Sequence, residues 1–134
     1  MKLVITESQI RRILREYIKA SEAHNDVESV RLICDGKRGV AFVTAYKIEE
    51  YEAIAELVSD CDLDSMKVPN NPHDAYIIFN KDYVNEAKEL LHIAIALGGY
   101  LSPDAPEDVT RKIGHILNYD PQDVEEFINK RNNI

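Results

Sequence analysis

Few residues in this chain could do covalent or metal chemistry, and they are scattered. Four histidines (His24, His73, His92, His115) and two cysteines (Cys34, Cys61) are the candidate metal ligands, bases and nucleophiles. No two histidines stand three or four residues apart, so no helix offers two imidazoles to one metal ion. The cysteines lack Cys-x-x-Cys spacing, no Gly-x-Ser-x-Gly marks a serine nucleophile, and Gly36-Lys37 lacks the other residues of a phosphate-binding loop. Asp60, Asp62 and Asp64 have the alternation that opens a calcium loop. Ser65 stands where that loop needs its turn glycine, however, and Asn71 where a bidentate glutamate should close the shell. The triplet reads as an exposed connection, His92 as a half-buried histidine beside Leu91 and Ile93. No metal or cofactor is expected, and no enzyme class is supported.

What remains is the recognition of anions. Lys37 and Arg38 lie in a turn, and Arg111, Lys112 and His115 lie together ahead of Tyr119; either cluster could meet a carboxylate or a nucleotide. Both stand out against an acidic background. The net charge is −8, and residues 1–20 hold five basic against two acidic residues, a net of +3, which leaves −11 for residues 21–134. Such a body disfavours general nucleic-acid binding, which depends on neutralising phosphates.

The elements that would position these residues follow from periodicity. Lys81 to Leu97 reads as a central helix, capped by Asn80 and stopped by Gly98 and Gly99; its last turns are apolar around most of the circumference, which predicts burial. Ser21 to Glu28 is polar and without period, a linker or the end of the preceding helix. SVRLICD and GVAFVTAY, separated by Asp35 to Gly39, read as a hairpin of β-branched and aromatic strands, apolar on both faces. Lys47 to Ser59 is an amphipathic helix, SMKV and AYIIF a second hairpin, and 106–130 a helical hairpin with Asp120 and Pro121 opening its second arm. The expected fold is α+β: a small antiparallel sheet, ββαββα or ββαβα, packed on the central helix within one domain spanning 28–134.

Ahead of it, residues 1–20 form an amphipathic helix of their own. Thr6 and Gln9 make a capping box, Ile5 and Ile10 a hydrophobic staple, and Ile10, Ile13, Leu14 and Tyr17 a stripe suited to docking on its own domain, to self-association or to a partner. This leader, ITESQIRRILREYI, resembles the leader found on many small uncharacterised proteins of marine and aquatic tailed phages. The resemblance implies a viral origin and carries no catalytic motif. No signal peptide is visible, the longest apolar run (Ile93 to Leu97) is too short for a membrane span, and unpaired cysteines point to a reduced, cytoplasmic protein.

The chain is therefore expected to be a small non-enzymatic binding protein, occluding a host protein or sequestering a small nucleotide-like anion, with homo-oligomerisation open. A small hydrolase or nucleotide-processing enzyme and a virion assembly component are the alternatives.

Overall fold

A computed structural model describes residues 26–44 and 47–133. The leader helix and its stripe (Ile10, Ile13, Leu14, Tyr17) lie outside the described residues. In chain order the elements are α1 (Asp26–Cys34), β1 (Val40–Thr44), α2 (Ile48–Asp60), β2 (Asp64–Lys67), β3 (Ala75–Phe79), a single 3-10 turn (Lys81–Tyr83), α3 (Val84–Ala96), α4 (Glu107–Ile116) and α5 (Pro121–Asn132). The fold is α+β, with a three-stranded antiparallel sheet of order β1-β3-β2.

The sheet is apolar on both faces because both are covered. Val40 and Phe42 on β1 and Ala75, Ile77 and Phe79 on β3 meet Ala87, Leu90 and Ala94 of α3, with Leu101, Ile116 and Leu117 behind them. On the other face Ala41, Val43 and Ile78 meet Val30 and Ile33 of α1, Ile54 of α2, and Leu63. The result is two cores separated by one sheet. The expected second hairpin is present: β2 and β3 pair antiparallel, with Asp64 opposite Phe79 and Lys67 opposite Tyr76.

The expected first hairpin is not. Its first arm and part of the expected linker are α1, so β1 pairs with β3, Val40 opposite Phe79. The run was ambiguous. Val30, Leu32 and Cys34 alternate as in a strand, but Val27, Val30, Ile33 and Cys34 recur at helical spacing, and Arg31 pairs with Glu28 one turn back at 3.1 Å. The turn signal was equally double-edged, because Gly36, at φ 75°, is the left-handed stop of a helix. The Lys37 amide donates to Leu32 O at 2.9 Å and the Gly36 amide to Ile33 O at 3.1 Å, the paired bonds of a Schellman motif.

The same stop closes α2, α3 and α4. Asp62, Gly98 and Asn118 take the left-handed position there, at φ 53°, 94° and 60°, and each helix ends on the corresponding pair of bonds. This accounts for the aspartate triplet. Asp62 is a helix stop whose carboxylate accepts from Lys81 Nζ at 2.9 Å, while Asp64 accepts from the Ser65 amide at 2.8 Å.

The central helix also differs from expectation. Asn80 caps the 3-10 turn, accepting from the Asp82 amide at 2.9 Å, and α3 buries only one side, Ala87, Leu90 and Ala94. His92 and Ala96 are exposed, and Ile95 is 43% exposed. One sheet face and α4 cover one side of a helix; nothing among the described residues wraps the other.

Cys34 and Cys61 form a disulfide, with Cα atoms 5.6 Å apart. The expectation of reduced, separate thiols is thereby corrected. Reading Cys34 into a strand hid the cause: α1 and α2 pack side by side on one sheet face, and their C-terminal ends come together.

Candidate ligand-binding cleft

The hairpin of α4 and α5 opens with known chemistry. Asp120 accepts from the Gln122 amide at 2.8 Å and Pro121 occupies the first turn of α5. Val124, Phe127 and Ile128 then face inward. The two helices run very close at Gly114, where an added Cβ would stand 2.6 Å from Val124 Cγ2. Both residues of this contact line a cleft. Its other walls are the apolar face of the hairpin and the Leu101–Pro103 segment, and its mouth is open to solvent. Ile113, Leu117, Val124 and Phe127 give it apolar walls, and Ser102, Thr110 and Tyr119 contribute hydroxyls.

The first basic cluster lies at the Tyr119 end. Asn118 Nδ2 donates to Lys37 O at 2.9 Å, and the Arg38 guanidinium sits over the Tyr119 ring, 5.5 Å from its centroid. The stop after α1 is thus joined to the stop after α4, and Lys37 and Arg38 lie against the residues that follow His115. Lys37 and His115 are exposed and Arg38 is half-buried.

Arg111 and Lys112 do not join them. Arg111 donates to both carboxylate oxygens of Glu125 at 2.8 and 2.9 Å and lies 3.6 Å from Glu107. Lys112 pairs with Glu89 at 2.8 Å. One cation stitches α4 to α5 and the other stitches α4 to α3. Each hydrogen bond pushes its cation's pKa up, and the one from Arg111 holds the Glu125 carboxyl below the ordinary 4.5.

That pair gives the hairpin a pH dependence of known sign. A carboxyl with a folded pKa below its unfolded one adds stability above the unfolded value and loses it as pH falls through the folded value. Glu125 and Arg111 are both about half exposed, so the contribution is small. Urea midpoints of wild type and Arg111→Met should differ near neutrality and converge as pH falls through 4.5 and below. A gap of unchanged size at the acid end would show that charge pairing is not its source.

At the far end stands a residue the sequence did not single out. Arg131 Nη1 donates to Pro103 O at 2.6 Å and to Thr110 Oγ1 at 3.1 Å, and its guanidinium lies over the Phe127 ring, 5.8 Å from the centroid. Those three residues line the cleft. The partners of Arg131 are neutral, while Arg31, Lys67, Lys81, Arg111 and Lys112 each hold a carboxylate. Its one visible signal was position: it lies four residues after Phe127, on the same side of α5.

Set against protein-family models, curated proteins and solved structures, the chain shows no match. Among the described residues no three His, Cys, Asp or Glu side chains group to hold a metal ion, and no helix is long and apolar enough to cross a membrane. Neither Cys34 nor Cys61 is a nucleophile while the bridge stands, because the attacking species is a thiolate.

Proposed function

We propose that this is a small non-enzymatic binding protein that sequesters a small anionic ligand in the cleft of its C-terminal helical hairpin. One observation carries the reading: in an acidic protein, an apolar cleft runs between two guanidinium groups, Arg38 over Tyr119 at one end and Arg131 beside Thr110 and Phe127 at the other. Apolar walls with a few placed polar groups are the usual make-up of a small-molecule site. The exposed Lys37 precedes Arg38 and adds to the positive charge beside Tyr119. A phage origin, with modulation of a host process as the purpose, rests on the leader resemblance. The Cys34–Cys61 bridge bears on where the protein would work, because such bonds persist in oxidising surroundings and open in a reducing cytosol.

A thermal-shift screen tests the reading. Nucleotides, cyclic nucleotides, NAD derivatives and small organic anions are added to the full chain at saturating concentration. Binding confined to the native state stabilises by about 2.7 kcal/mol at a hundredfold excess over Kd, so one anion class should raise the midpoint by several degrees. A flat response to all of them would reject sequestration.

A second reading, occlusion of a host protein with a basic surface, is favoured by the outer face of α2. There Glu49, Glu52, Glu56 and Asp60 are exposed, with no basic residue in the last turn.

A further inference from the structure

We infer that the ligand of the cleft is an aliphatic monocarboxylate, its carboxylate held by Arg131 and its hydrocarbon tail lying along Ile113, Leu117, Val124 and Phe127. This deepens the sequestration reading and rests on it. Three observations define the class. The head-group position is set by Arg131, whose Nη1 donates to Pro103 O and Thr110 Oγ1, two residues that line the cleft, so that its guanidinium stands beside the cleft, where a ligand carboxylate presents its two-oxygen fork. A planar guanidinium is the side chain best matched to that fork. The body of the ligand is set by the walls, which are mainly aliphatic and aromatic, with the hydroxyls of Ser102, Thr110 and Tyr119 as their polar groups. The charge is set by the surroundings: Pro103 is followed by the exposed Asp104, α4 opens on the exposed Glu107 and Asp108, and the chain carries −8 overall. At the Arg131 end of the cleft, a single guanidinium in that field suits one negative charge better than the several of a nucleotide.

The experiment is calorimetric titration of the full chain with hexanoate, octanoate and decanoate, all below micelle-forming concentrations, and with octanol and octylamine as head-group controls. Affinity should rise about fourfold per added methylene. Octanol should bind at least tenfold more weakly than octanoate, and octylamine should not bind. Arg131→Gln should remove the preference for octanoate over octanol while leaving the dependence on chain length in place. The head-group comparison uses the unaltered chain, so it decides the matter even if Arg131→Gln fails to fold. Equal binding of octanoate and octanol, or affinity independent of chain length, overturns the inference. Binding of a nucleotide but of no alkanoate overturns it and leaves sequestration standing; binding of no anion at all removes both.

Discussion

Truncating Leu90 to alanine should lower the unfolding free energy by about 3–5 kcal/mol, the range for a fully enclosed leucine whose cavity cannot collapse. Leu90 is 0% exposed. It projects from α3 into the core formed with Phe42, Ile77 and Leu117, so its removal leaves a void that the sheet on one side and α4 on the other hold open. Ile95 lies on the same helix and is 43% exposed. Ile95→Ala should cost no more than about 1 kcal/mol, because little surface leaves water there. Urea denaturation of both variants, with slopes compared to confirm an unchanged unfolding reaction, checks the pair. A Leu90→Ala cost below 1 kcal/mol would mean that α3 does not pack on the sheet as described. A domain of this size holds roughly 5–15 kcal/mol in total, so the loss is a large fraction of the whole.

Opening the disulfide should have an effect of similar size on the other face. The bridged residues are separated by 27 positions, and closing a loop of that length in the unfolded chain accounts for about 3–4 kcal/mol in the chain-entropy account. The expected result is a matching fall in stability for Cys34→Ser with Cys61→Ser, and for wild type under dithiothreitol. The loss should fall first on the layer of α1 and α2, whose own contacts are Val30, Ile33, Ile54 and Leu63. Amide exchange would show it as lowered protection in those two helices, with α3 less affected. If the reduced protein keeps its urea midpoint, packing alone holds that layer and the bridge is redundant.

Elements bounded by side-chain chemistry were legible in the sequence. Asn80, the Gly98-Gly99 pair and Asp120-Pro121 mark ends by bonds that form within a few residues, so reading them needs no tertiary knowledge. The α1 segment failed for the opposite reason. Its β-branched and aliphatic residues suit a strand or a buried helix, and only packing against α2 decides between them. The cysteine pair depended on that same packing. Within the site, Arg111 and Lys112 looked like half of a basic cluster because their carboxylates, Glu125 and Glu89, come from neighbouring helices. Arg131 was hidden by the same logic in reverse: what distinguishes it is that its bonds go to Pro103 O and Thr110 Oγ1, and partners so far away in the chain leave no local pattern.

The sheet order also dictates a schedule for the growing chain. β3 lies between β1 and β2, with Thr44 registered against Ala75, so the first two strands share no ladder and each waits for the third. During synthesis the VAFVT segment, all five of its residues buried in the finished fold, leaves the ribosome well before its partner does. At common elongation rates that interval is on the order of seconds, long enough for an unpaired apolar strand to find the wrong neighbour. The residues translated during the wait include Glu49, Glu50, Glu52, Glu56 and Asp60. Charges of one sign beside an exposed apolar strand oppose its aggregation by repulsion, and the chain order places the acidic α2 directly after β1.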